Sequence, residues 1–372
     1  MTGLNGDAPS VRVMAFATKG AGSNEEDRVR GLLERFDPSI FPFDRRRKTA
    51  MFFSLLRRLR ARRWDLVVME GSGVAGGLAI LAGRWLCGVP YVVSTGDAVT
   101  PFMAARSRWL GVPFAMYERI LYASSAGVIG WTPYLAGRAL TFAAPRAITA
   151  AGWAPYPRSA EELAAARARV RGRLGIPAGA LVVGIAGSLA WSRRYRYCYG
   201  AELVAAIGRL RRRDVRALIV GDGSGRAHLE RLAAAAGEGR VVFTGAVPQR
   251  EIPDYLAAMD VGSLPQSVDG VGSFRYTTKL SEYLAAALPV VTGQIPFAYD
   301  LDEGWLWRLP GSAPWDPRYV AALAALMEAL TPAAVAERRA ALPRVPAEFD
   351  RGRQVARVTG FVTDILGVNG AS

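Results

Sequence analysis

Short runs that are apolar throughout alternate along the chain with segments whose apolar positions return every three or four residues. In the first half, residues 11–16, 64–69, 90–94, 126–130 and 147–152 read as strands, and 71–86 and 132–140 as helices between them. The second half repeats the scheme, with strands and their turns at 181–187, 216–223, 241–248 and 260–265, and helices at 229–236, 252–259 and 317–330. Strands that are continuously apolar belong to parallel sheets covered on both faces. Their alternation with helices makes the chain α/β. Two such halves predict two Rossmann-like domains, 1–154 and 155–345. A closing segment, 346–372, holds a helix over 349–366 that crosses back to the first domain.

The stretch 274–293 joins a loop, a helix and a strand. Thr277 or Thr278 suits the N-cap, Leu280, Leu284 and Ala287 recur at helical spacing, and Pro289 ends the helix before a short apolar strand. A helix start presents unpaired N–H groups and a positive dipole end, which can hold a phosphate. Glu282, one turn further in, can accept hydrogen bonds from a sugar diol. An ordinary amphipathic helix leading into a sheet is the competing reading.

Residues 278–286, Thr-Lys-Leu-Ser-Glu-Tyr-Leu-Ala-Ala, followed by Leu288-Pro289-Val290-Val291, resemble the donor-binding segment of GT-B glycosyltransferases of the large retaining family four. The resemblance implies two Rossmann-like domains facing each other across a cleft. It also implies transfer of a sugar from a nucleotide diphosphate sugar to an acceptor hydroxyl of a glycan, glycolipid or small molecule, with retention of configuration and no metal. The diphosphate would meet the helix start at Thr277, Thr278 and Lys279, and Glu282 would bind the ribose.

Further positions follow from the same resemblance. The turn with Gly20 and Gly22, after the first strand, would lie against donor and acceptor; a plain tight turn into a helix is equally consistent with it. Gly187 ends a buried strand. Beyond it Ser188 stands where the family has arginine and Arg193 where it has lysine, with Arg194 and Arg196 adjacent. Arginine suits a diphosphate through paired, charge-assisted hydrogen bonds. Gly245 corresponds to the turn whose backbone meets the nucleobase. Gly96 replaces the family's histidine, leaving Asp97 to contact a sugar or acceptor or to cap the next turn, and Phe274 breaks the usual Glu-x7-Glu pair. The catalytic assignment is Asp97 and Arg193.

Composition narrows the partners. The 372 residues are 51% hydrophobic and 21% charged, with net charge +15 and pI near 10.4, so an acidic partner is expected. No nucleic-acid-binding motif is visible. Two cysteines and one histidine argue against a disulfide framework or a zinc site. The start, 1–9, lacks an export pattern. No clean membrane span is present, which gives an expectation of a cytoplasmic protein. Residues 45–63 set an apolar stripe (Met51, Phe52, Leu55, Leu56, Leu59) amid nine basic residues. That stripe either lies on an anionic membrane at its inner face or packs on the domain's own sheet. The aromatic segment 102–122 reads as an acceptor- or membrane-facing loop or as core. The rival to an enzyme is a catalytically silent GT-B protein that binds a partner or glycan.

Overall fold

Two six-stranded parallel sheets carry the chain. The computed structural model describes residues 11–343 and 347–367, so the polar start at 1–9 and the expected boundary at 345/346 lie outside the described residues. Residues up to Gly152, with 274–276 and those from Asp350 onward, form one unit; Trp153–Ser273 and Thr277–Phe349 form the other.

In the first unit β1 (Val13–Ala17), β2 (Ser39–Ile40), β3 (Leu66–Glu70), β4 (Tyr91–Thr95), β5 (Gly127–Gly130) and β6 (Ala147–Thr149) run parallel in the order β2-β1-β3-β4-β5-β6. The helices are α1 (Asn24–Leu32), α2 (Lys48–Ala61), α3 (Val74–Cys87), α4 (Val99–Arg106), α5 (Gly111–Ala123) and α6 (Pro133–Thr141). Met14, Phe16, Val67, Met69, Tyr91 and Val93 point to one face. There they meet Leu55 and Leu59 of α2, Ile80 of α3, Leu121 of α5 and Ala139 of α6 in a single buried cluster. Helices α2, α3, α5 and α6 therefore cover the same side of the sheet. Two alternatives that the sequence left open are decided here. The stripe of α2 is core: Leu55, Leu56 and Leu59 are buried, and Leu59 reaches Gly83 of α3 so closely that a Cβ there would sit 2.5 Å from its Cδ1. The segment 102–122 is helical, not a loop.

Beneath the carboxyl edge of this sheet lies a buried ion pair. Arg28 Nη1 donates to Glu70 Oε2 at 2.5 Å and to Ser94 Oγ at 2.9 Å, and Nη2 donates to the Ala150 carbonyl. The Trp131 ring lies 4.3 Å from the guanidinium carbon, and its Nε1–H donates to Glu70 Oε1 at 2.9 Å. Burial depresses the Arg28 pKa, and the Glu70 carboxylate holds the charge in place.

In the second unit β7 (Leu181–Ala186), β8 (Val215–Val220), β9 (Val241–Phe243), β10 (Val261–Leu264), β11 (Val290–Gly293) and β12 (Leu306–Leu309) run parallel in the order β12-β11-β10-β7-β8-β9. Around them stand α7 (Ala160–Arg173), α8 (Ala201–Ile207), α9 (Arg226–Ala234), α10 (Ile252–Ala257), α11 (Thr278–Ala285), α12 (Phe297–Asp300), α13 (Pro317–Ala329) and α14 (Pro332–Ala340). Strand β12 was not apparent from the sequence. It forms because Leu306 and Leu309 are buried while the backbone pairs with β11. The last helix, α15 (Arg351–Leu366), belongs to the first unit; its Phe361 packs on Gly127 of β5, and Arg357 Nη1 donates to the Thr149 carbonyl at 2.9 Å.

Replacing Arg28 with Met strands the Glu70 carboxylate in the core. The first unit should lose about 3–5 kcal/mol of stability, read as an earlier midpoint in urea unfolding at neutral pH.

Candidate active site

The carboxyl ends of β7, β8 and β9 form a floor of bare backbone. Gly221 has φ +135°, and a side chain there would collide with the Gly187 carbonyl. Its N–H donates to the Gly245 carbonyl at 3.0 Å, and the Gly187 N–H donates to Val220 O at 2.9 Å. Gly245, at φ +76°, is the turn after β9. Gly187, Gly221 and Gly245 thus stand side by side as main chain, with Lys279 against the first and Arg226 against the third.

Helix α11 starts beside that floor. Thr277 is its N-cap in extended conformation but makes no side-chain capping bond. The Thr277 Oγ1 is buried and has no hydrogen-bond partner among the described residues. Lys279, in the first turn, reaches back over the floor: its Cε and Nζ would lie 2.7 and 3.0 Å from a Cβ at Gly187, and its Nζ sits 4.3 Å from the Tyr199 ring centroid. One turn on, Glu282 lines a small pocket with Tyr156, Arg158, Leu163, Gln249 and Pro253. Burial pushes its carboxyl up to about 7 from the usual 4.5, and Lys279 partly opposes the rise.

A buried carboxyl supports the loop before α8. Glu202 accepts from Tyr197 Oη at 2.8 Å, from the Gly200 N–H at 3.1 Å and from Ser263 Oγ at 3.2 Å. Burial lifts it too to about 7. Gly200, at φ +90°, turns the chain into α8 directly after Tyr199. Between Ser188 and Tyr199 the chain makes an extra turn closed by backbone bonds between Ser192 and Tyr197. Arg193 and Arg194 are exposed on that turn, with Arg194 over the Tyr195 ring and Tyr195 stacked on Trp315 at 4.5 Å. The cation held against Gly187 is therefore Lys279, from another helix, and no contact joins Arg193 to it among the described residues. Tyr199 was missed in the sequence; its signal was the glycine immediately before a helix. His228 packs beside Trp191 and takes no part in the floor.

The opening turn of the first unit has the opposite character. Ser23 Oγ donates to the Gly20 carbonyl at 2.7 Å and accepts from the Glu26 N–H at 3.3 Å, so α1 is capped. Its first turn carries Glu25, Glu26 and Asp27. Three carboxylates at a positive helix end leave no place for phosphate, and the turn of Gly20 (φ +114°) and Gly22 (φ +71°) is a capping turn. Lys19 pairs with Glu25. Burial raises the Glu25 pKa; Lys19 opposes this, and the carboxylates of Glu70 and Asp97 add to it. Asp97 does not cap α4. Its Oδ1 accepts from Arg275 Nε at 2.6 Å.

Beside Asp97, Gly96 is required by packing. A Cβ on it would lie 2.8 Å from Cδ2 of Trp131, so the indole, stacked between Gly96 and Arg28, occupies the space a histidine would need. Among the described residues no group of three or more His, Cys, Asp or Glu is placed to hold a metal ion.

Residues 4–152 match the family described as "Glycosyl transferase 4-like domain", and residues 180–329 match "Glycosyl transferases group 1". The chain belongs to the GT-B glycosyltransferases. The GT-B chain is 33% identical over 243 residues to the 2-deoxystreptamine glucosyltransferase of Streptomyces kanamyceticus, a match spanning 62% of this chain and 61% of that enzyme. Its fold is that of Anabaena HepE, crystallised with UDP and glucose (TM-score 0.70, 16% identity, 95% of this chain and 100% of that one). Sucrose-phosphate synthase of Thermosynechococcus elongatus is similarly alike (TM-score 0.72, 15% identity, 96% and 100%).

Two outcomes follow from this geometry. Glu282 has a higher pKa folded than unfolded, so its contribution to stability is complete below about pH 4.5 and is lost as pH rises through about 7. Between pH 5 and 8 the wild type should therefore lose stability relative to Glu282→Gln, by on the order of 3 kcal/mol at most, read by paired thermal melts across pH. Gly96→His should destabilise the first unit by about 1–3 kcal/mol, and the double change Gly96→His with Trp131→Ala should recover part of that loss in the same melts.

Proposed function

We propose that the chain transfers a hexosyl group, with UDP-glucose the first donor to try, to a hydroxyl of an amine-bearing polyol of the aminocyclitol class. The carrying observation is the start of α11, where an unpartnered Thr277 hydroxyl and Lys279 stand against the glycine floor with Glu282 one turn behind. A diphosphate placed there meets helix N–H groups and an ammonium. Charge grows on the diphosphate as the glycosidic bond breaks, so fixed donors at that point lower the barrier. No metal is needed for that task. Glu282, ionised above pH 7, accepts from the ribose hydroxyls, and the Gly245 backbone faces the base. Arg193 and Arg194 extend from a turn pinned by Tyr195 on Trp315, as further cations for the leaving group.

The donor reading is supported by HepE, which was crystallised with UDP and glucose, and the acceptor reading by the Streptomyces relative's name. Charge supports the acceptor independently. Glu25, Glu70 and Asp97 stand together there: burial is the main cause of the raised Glu25 pKa, and the Glu70 and Asp97 carboxylates add to it, a setting that favours a protonated amine. Asp97, held by Arg275, stays a hydrogen-bond acceptor for such a substrate. Retention of configuration comes with the reading, as the family resemblance implies.

Thermal melts against UDP, UDP-glucose, GDP and ADP should show a selective rise with the uridine ligands, equivalent to about 2.7 kcal/mol at a hundred times Kd. Glu282→Ala should abolish it, and Lys279→Ala should weaken UDP more than uridine. Glucose transfer to 2-deoxystreptamine, followed by NMR of the product's anomeric proton, tests acceptor and stereochemistry. Absence of any nucleotide shift at saturation would overturn the enzymatic reading in favour of a silent binding protein.

A further inference from the structure

The helical face of the first sheet has an unusual outer surface. On α3, Val74, Leu78 and Trp85 are exposed and share one face; Trp85 is 65% accessible. On α5, Val112, Met116 and Ile120 form a second exposed apolar stripe, and just before it Trp109 is 79% accessible. On α2, Phe53, Arg57 and Arg60 recur at i, i+4 and i+7 and face solvent. Residues so spaced lie on one side of a helix.

These stripes belong to one surface. The inner residues of α2, α3 and α5 share a single buried cluster on one side of the sheet, so their outer residues look the same way. Leu59 seats α2 against Gly83 of α3. Tyr117 of α5 lies against Gly77 of α3 and donates to the carbonyls of Ser72 and Gly73 at 3.4 and 3.3 Å. Helix α3, apolar on its outer face, is thus flanked on one side by a basic helix and on the other by a second apolar one.

The charge of this layer selects its occupant. Residues 45–123 carry thirteen Lys and Arg against four Asp and Glu, and two of the four, Glu70 and Glu118, are buried. Exposed tryptophans and arginines on one layer are what an anionic bilayer surface receives: indoles at the headgroup boundary and guanidiniums on phosphates. Among the described residues no single helix is long and apolar enough to cross a membrane, so the contact is peripheral. We infer that the outer face of α2, α3 and α5 docks on an anionic lipid surface, with Trp85 and Trp109 inserted and Arg57 and Arg60 on lipid phosphates. This face is distinct from the buried stripe of α2, and the inference does not depend on the donor or acceptor.

The test is flotation of the purified full chain with vesicles of phosphatidylcholine alone or mixed with phosphatidylglycerol. Binding should require phosphatidylglycerol and fall with salt. Trp85→Ser with Trp109→Ser should reduce it about tenfold or more without altering net charge or the melting midpoint, and Arg57→Gln with Arg60→Gln should reduce its salt dependence. In the unaltered protein, lipids brominated along the acyl chain should quench tryptophan emission, which keeps the test valid if a variant folds poorly. No flotation with phosphatidylglycerol at low salt overturns the inference, as does equal binding by the double tryptophan variant. A concentration-dependent dimer lost in that variant would assign the face to a second copy and overturn it as well.

Discussion

The Gly187 carbonyl comes so near Gly221 that no side chain fits between them, and the working end of the second sheet is built around that contact. It requires a φ of +135° at residue 221, open only to glycine at acceptable strain. It also brings β7, β8 and the turn after β9 into one plane of main chain. Lys279 can then lie flat across Gly187, and Tyr199 can meet it from below. A larger residue at Gly187 would lift the lysine off the floor and separate the ammonium from the helix start it reinforces.

The two units use the same local device in opposite senses. Both have a helix opening at the carboxyl edge of a parallel sheet. In α11 the cap is left unmade and the first turn carries a lysine, so the dipole end is available to an anion. In α1 the cap is made by Ser23 and the first turn carries three acids, so it is already neutralised and repels one. Fold alone does not distinguish these ends; their first four residues do. The same division gives one unit a helix end open to an anion and the other a helix end closed to it.

Most strands were legible because both sheets are buried on two faces and these strands are apolar throughout; the short edge strands β2 and β12 were not. Helix α11 was legible for a related reason: Thr277 and Pro289 are local punctuation, and local geometry fixes them. The sequence was less informative where partners lie far apart in the chain. Arg193 stands at the family's spacing from Gly187 on an extra turn between Ser192 and Tyr197, and the cation that reaches Gly187 itself is Lys279, from a distant helix. At 45–63 and 102–122 the sequence left two alternatives open. An amphipathic helix looks the same whether its apolar side meets a sheet or a membrane, and only packing shows that α2 buries its leucines while α3 and α5 leave tryptophan and valine outside.

Gly96 and Trp131 carry a historical consequence. Each is acceptable only because of the other: the indole has room because residue 96 has no side chain, and the gap at 96 is filled because residue 131 is large. Neither position can drift singly without either a clash or a void, so the two are locked as a pair across thirty-five residues of sequence. A histidine at 96 therefore carries a cost of its own unless position 131 is emptied as well, and emptying it removes the ring that covers Arg28 and the Nε1–H that bonds Glu70. Either route back to a histidine loses stability, and any relative that shares the glycine is expected to share the tryptophan.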